Sequence, residues 1–186
     1  MCRTITYKDP IGFELQGRSI EYGQGVRVVF NSLYNENQDV LGEEFADNAF
    51  EYVNDLGETW QKGHILARRF GGDNRSHNLL PMTQRANLCF RREVEDKLSQ
   101  ILSRLYWLNG VYQMECNFAQ IEIVYEVNIG DCDIEINGIS IPSSFTARIY
   151  ARSYSEINYD VINNLLRRED FNMKLPFQLR IETNLA

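Results

Sequence analysis

The sequence predicts an α+β fold in which strands precede and follow one central helix. Three observations carry this. Asn87 to about Leu108 has helical periodicity. "GVRVVFNSL" (Gly25 to Leu33), "QMECNFAQIEIVYEV" and "SSFTARIYARS" have the β-branched and aromatic composition of strands. A shorter helical pattern, "YDVINNLLRRED", then precedes a last strand, "PFQLRIET".

Taken in order, Gly25 to Leu33 reads as a strand from its valine run. "LGEEFADNAFEYVNDLG" reads as a short amphipathic helix closed by Gly57, with Phe45, Phe50 and Val53 as its apolar members. "TWQKGHILA" reads as a strand ending near Arg68, and "FGGDNRSHN" as a loop by its Gly, Asn, Asp and Ser content. In the central helix, stepping about 100° per residue from Asn87, the residues Phe90, Val94, Leu98, Ile101, Leu102 and Leu105 fall within about 60° of Asn87's direction. That stripe faces the protein body, and Asn109-Gly110 is positioned to end the helix. "NIGDCDIEINGISIP" reads as an excursion between two strands.

The 186 residues, 44% hydrophobic, suit one globular domain over 1–186 with a real core. No run of about 18 apolar residues suggests a membrane span. "MCRTITYKDPIGF" lacks the pattern of a signal peptide. Export within a longer effector and a cytoplasmic location are both compatible with that. Cys2, Cys89, Cys116 and Cys132 show no CxxC pairing and read as buried or idle thiols.

The net charge of −7 argues against a nucleic-acid partner, but its distribution argues for one. Residues 61–105 hold nine Lys/Arg against four Asp/Glu, a local +5 inside a remainder of −12. A positive centre in an acidic shell suits a phosphodiester bound in a cleft. The plain alternative is a chance clustering of surface charge.

The helix stripe poses a chemical question. Asn87 lies on the body-facing side and Glu95 at its edge, about 80° round. Polar groups there need partners, since burying them unpaired costs on the order of kcal/mol each. In one solution Asn87 caps the helix and Glu95 pairs with Arg91. In the other, a divalent cation is held through Asn87 and ordered water, with Glu95 behind it; oxygen ligands and retained water suit Mg²⁺.

The segment "KGHILARRFGG…NLLPMTQRAN…E" resembles the DNA/RNA non-specific endonucleases of the ββα-metal (His-Me finger) superfamily, in the branch of bacterial secreted nucleases and toxin domains. Gly63-His64 matches the end of the family's strand-borne Arg-Gly-His motif, and Asn78 to Met82 its Asn-Leu-x-Pro-x stretch. Asn87 follows nine residues after Asn78, and Glu95 eight after Asn87. The likeness covers roughly residues 60–108; residues 1–55 and 128–186 carry no matching motif.

The resemblance implies a strand–loop–strand–helix core over approximately 58–108, embedded in an antiparallel sheet with flanking helices. It implies that His64 is the general base that deprotonates water, a task suited to imidazole. Asn87 would be the protein ligand to Mg²⁺, with Mn²⁺ as a substitute, and Glu95 would orient the metal's waters. Asn78 would hold the site's hydrogen-bond geometry, Gly63 would leave room beside the substrate, and Gly71-Gly72 would turn the chain away. Arg91 is a candidate phosphate contact. Lys62, Arg68 and Arg69 are candidate substrate contacts; strand alternation would send Arg68 and Arg69 to opposite sides. His77 is a loop residue with no role.

The sequence also departs from the family. Gln61-Lys62-Gly63-His64 stands where many members have Asp-Arg-Gly-His, so the guanidinium fork is lost. An arginine some relatives carry past the glutamate is Ser99 here, and Arg18 and Arg27 are candidates for an upstream arginine. The implied function is a Mg²⁺-dependent endonuclease acting on DNA, RNA or both. It could be a toxin domain with an immunity or inhibitor protein as partner, and no membrane is implied. The alternative is a nuclease-like domain that has lost catalysis and binds nucleic acid or protein.

Overall fold

The β-branched runs pair into sheets and the amphipathic pattern covers them. The computed structural model describes residues 3–15, 18–36, 48–111, 121–153, 158–167 and 174–185. In chain order come β1 (Arg3–Tyr7), β2 (Ile11–Leu15), β3 (Arg18–Tyr22) and β4 (Gly25–Asn31). Then follow β5 (Trp60–His64), β6 (Leu79–Thr83), α1 (Gln84–Phe90) and α2 (Asp96–Val111). The chain continues through β7 (Glu122–Ile129), β8 (Ile134–Ile136), β9 (Ile139–Ile141), β10 (Ser144–Arg152), α3 (Tyr159–Leu166) and β11 (Phe177–Glu182).

The fold is mixed α+β. Five strands form a sheet in the order β1-β4-β7-β10-β11, antiparallel at every pairing. Alternation sends Val26, Val28 and Phe30 of β4 and Ile123, Tyr125 and Val127 of β7 to one buried face. The long helix lies on that face, with Phe90 meeting Phe145 edge-on at 5.0 Å between ring centroids. The stripe from Phe90 to Leu105 is buried as its periodicity requires.

Several expectations are corrected. The strand that begins near Trp60 stops at His64, because Arg68–Phe70 turns into a 3-10 helix closed by Gly71 at φ 94°. The hairpin β5–β6 is a separate two-stranded sheet rather than part of the large one. The helix starts at Gln84, where the Thr83 hydroxyl accepts from the Ala86 N–H at 3.3 Å, so Asn87 is inside the helix and does not cap it. It also passes through Asn109-Gly110 to Val111. The excursion after β7 contains the β8–β9 hairpin. Residues 48–56 form 3-10 turns with Val53 buried, while Phe45 lies outside the described residues. Cys89 is half-buried and Cys132 exposed, both free thiols, and Cys2 and Cys116 lie outside the described residues.

The segments without motifs position the rest. Tyr34, after β4, donates to the Arg69 carbonyl at 3.0 Å, and a Cβ on Gly71 would meet the Arg3 guanidinium at 2.5 Å. On the same strand as Arg3, Tyr7 packs its ring against His77, tilted by 49° at 4.3 Å between centroids. At the other end, the Thr83 N–H donates to the Thr183 carbonyl and its hydroxyl to the Leu185 carbonyl, at 2.8 and 2.6 Å. The residues that follow β11 therefore anchor the residue that caps the helix.

Candidate active site

His64 ends β5, half-buried, with its strand paired to β6 residue for residue from Trp60↔Thr83 to His64↔Leu79. Gly63 precedes it because Met82 fills the space where a side chain would go: a Cβ there would lie 2.4 Å from the Met82 thioether. That space belongs to the core and not to a substrate. Gly72 is tighter still, since a Cβ would meet the Leu66 carbonyl at 1.8 Å.

After His64 the chain is clamped from two sides. Buried Asn78 accepts from the Leu66 N–H at 2.9 Å, and its amide donates to the carbonyls of Leu66 and Asp73 at 3.0 and 2.7 Å. The Ile65 N–H donates to the Asn78 carbonyl at 3.0 Å, and the Tyr125 hydroxyl reaches from the central sheet to the Ile65 carbonyl at 2.7 Å. Asn78 thus holds the loop through backbone groups, without touching the imidazole itself. The imidazole's partner is Asn74, whose Oδ1 lies 2.5 Å from His64 Nε2. His77, paired with Asp73 at 3.1 Å and packed against the Tyr7 ring, braces the same loop.

Between Asn87 and Glu95 the helix carries a local irregularity. Arg91–Glu95 is a π turn, with the Asp96 N–H donating to the Arg91 carbonyl five residues back. Such a turn advances each residue by roughly 80° instead of roughly 100°. Over four steps such winding would turn Glu95 by roughly 70–80° towards the direction of Asn87. Glu95 is then buried, its side chain 12% exposed.

Burial pushes the Glu95 carboxyl up to about 7, aided by neighbouring Asp96 and opposed by Arg69 and Arg91. Arg69 is its close cation, with Nη2 at 3.9 Å from Glu95 and 2.9 Å from Asp96. Arg91 is exposed and acts on Glu95 only at longer range, so the expected Arg91–Glu95 pair is replaced by Arg69. Arg68 and Arg69 sit in the 3-10 turn, where strand alternation does not apply. Lys62 is exposed on β5. Arg27 pairs with Glu126 at 2.9 Å on the sheet face away from the helix, and Arg18's side chain lies outside the described residues. Ser99 donates to Glu36 at 2.6 Å.

Three residues escaped the sequence reading. Gln61 accepts from the Asn87 amide at 3.4 Å, Asn74 holds the imidazole, and Tyr125 links the sheet to the strand end. Gln61 stands where the family has aspartate and Asn74 lies in a loop read only for its turns; Tyr125 carries no local signal.

The residues fit a hard cation that keeps most of its water. With Nδ2 of Asn87 turned to Gln61, its Oδ1 is the amide's remaining ligand atom, and Glu95 is a buried carboxyl two turns further along the helix. Among the described residues no cluster of three His, Cys, Asp or Glu could cage an ion. None of their helices is long and apolar enough to cross a membrane. No protein-family model matches the chain, and no curated protein matches it.

Proposed function

We propose that the protein is a Mg²⁺-dependent, sugar-non-specific endonuclease that hydrolyses phosphodiester bonds of DNA, RNA or both. What supports the reading is a hairpin strand that ends in His64, Asn87 bonded to Gln61 of that strand at 3.4 Å, and a buried Glu95 in a π turn of the same helix. The hairpin-then-helix order matches what the ββα-metal resemblance implies for residues 58–108.

In this reading His64 takes a proton from water, and the hydroxide so formed attacks phosphorus. Asn87 would hold the cation through its amide oxygen, and Glu95, when ionised, would accept hydrogen bonds from water beside it. Mg²⁺, when bound, would supply positive charge to a reaction at phosphorus. Lys62, Arg69 and exposed Arg91 lie in the basic segment and counter phosphate charge that the acidic remainder repels. The toxin-domain setting, with an immunity or inhibitor protein, rests on the resemblance alone.

The test is digestion of plasmid DNA and of RNA with and without Mg²⁺. Cleavage that EDTA abolishes supports the reading. Nucleic-acid binding with no cleavage under Mg²⁺ or Mn²⁺ supports the alternative, a binding module that has lost catalysis.

A further inference from the structure

We propose that a small cavity beside the long helix, lined by Glu36, takes the Watson–Crick edge of an unpaired guanine and gives the protein a base preference. This rests on the nuclease reading above, and it goes further by assigning a base-recognition site, a choice that a sugar-non-specific reaction leaves open.

The cavity, of about 150 Å³, lies between the turn after β4 and the second half of α2. Tyr34, Asn35 and Glu36 form one wall, and Leu102, Ser103 and Tyr106 the other. The turn is set locally. Asn31 accepts from the Leu33 N–H at 3.0 Å through its side chain and from the Tyr34 N–H at 3.1 Å through its carbonyl. Tyr34 is then pinned, edge-on to Phe30 at 4.6 Å and bonded to the Arg69 carbonyl at 3.0 Å. On the helix, Ser99, Ser103 and Tyr106 fall within about 80° of the direction of Glu95, so they continue its side. Ser103 stands roughly 12 Å further along the axis, close enough for one strand to fill both places.

Glu36 is the group that selects a guest. The Ser99 hydroxyl donates to its Oε1 at 2.6 Å, while Oε2 is buried and no donor among the described residues reaches it. A buried acceptor without a donor is costly, and a guest that brings N–H groups into the cavity removes that cost. The last torsion of a glutamate is soft, so the carboxylate can turn to meet it.

A carboxylate can only accept. Guanine offers two adjacent donors on its Watson–Crick edge, N1–H and N2–H. Adenine and cytosine offer one donor beside a ring lone pair, and uracil and thymine one N–H between two carbonyls. Each of these sets a lone pair against a carboxylate oxygen, so guanine alone matches. The Ser103 hydroxyl can donate to guanine O6, and Tyr106, 38% exposed, gives the base an aromatic wall. The edge must be unpaired, which points to single strands. The same negative charge repels phosphate and leaves the backbone to the basic segment.

The direct experiment is calorimetric titration of the whole chain, in EDTA, with the 5′-monophosphates of guanosine, adenosine, cytidine and uridine. The guanosine nucleotide should bind about 5- to 100-fold more tightly than the others. Glu36→Gln keeps the shape, but its amide pairs one acceptor and one donor with adenine N6–H and N1. It should lose the guanine preference and favour the adenosine nucleotide with little change in melting temperature, an exchange that a merely structural role would not produce. Tyr106→Ala should weaken all four by a similar factor. In Mg²⁺, wild type should cut a mixed single-stranded oligonucleotide fastest beside guanine, and Glu36→Gln should not. Equal binding of the four nucleotides, binding of none, or a Glu36→Gln variant that keeps the guanine preference overturns the proposal. If the wild type cuts no nucleic acid, the nuclease reading fails while the titrations still decide the cavity.

Discussion

Arg69 stands 3.9 Å from Glu95, close enough for its charge to be felt and too far to donate a hydrogen bond. The guanidinium gives its bond to Asp96 at 2.9 Å instead. Glu95 is therefore a buried carboxyl whose nearest cation compensates it only in part, and burial prevails, raising it to about 7.

The sign of the resulting pH dependence is fixed. Below about 4.5 the carboxyl is protonated whether the chain is folded or not, and burial costs nothing through ionisation. Between that value and about 7 the folded state holds the proton more tightly, so stability falls as pH rises, and above about 7 the loss levels off. The whole effect is about 3 kcal/mol at most. Glu95→Gln should accordingly melt at a higher temperature than wild type at pH 8 and at about the same temperature at pH 4. Equal melting at both values would show that Glu95 is not held protonated by the fold. Mg²⁺, which favours the ionised carboxylate, should bind more tightly as pH rises from 5 to about 8 in calorimetric titrations.

Asn78 has a different task. It bonds both sides of the loop between His64 and the helix, and replacing it by alanine leaves the buried Leu66 N–H without its partner. Asn78→Ala should lose about 2–4 kcal/mol in urea unfolding. Gly72→Ala should lose at least as much, because its Cβ would meet the Leu66 carbonyl at 1.8 Å and the Asn78 amide at 2.7 Å. Wild-type stability in either variant would remove Asn78 as the clamp.

Lys62 offers a gain of function. It is exposed on the strand that ends in His64, where the nucleases that this segment resembles have an arginine, a side chain able to grip phosphate with two bonds. Lys62→Arg should raise kcat/KM on DNA by roughly 3- to 10-fold, with little change in melting temperature. An unchanged or lower kcat/KM would mean that this side chain does not contact the substrate.

Much of this was legible in the sequence, for local reasons. The helical stripe from Phe90 to Leu105 follows from a period that burial enforces, and the valine run of β4 from alternation. The π turn was not legible, since no residue type marks an i→i+5 bond, and without it Glu95 falls about 80° from Asn87. The run "HILA" reads as extended, which puts Arg68 at the end of a strand. What stops the strand at His64 is the tertiary clamp of Asn78 and Tyr125 on Ile65 and Leu66. The contacts of Tyr34 with Arg69 and of Tyr125 with Ile65 join residues 35 and 60 apart in sequence, beyond any local signal.

The central claim is that His64 performs the chemistry while the fold stands without it. Its most direct measurement is the rate of supercoiled plasmid nicking in Mg²⁺ by wild type and His64→Ala, with melting temperatures taken on the same samples. The account predicts a loss of at least about 10²-fold in rate with melting within a few degrees of wild type. A folded His64→Ala variant that nicks plasmid at the wild-type rate, or a wild type that does not nick at all, would contradict it.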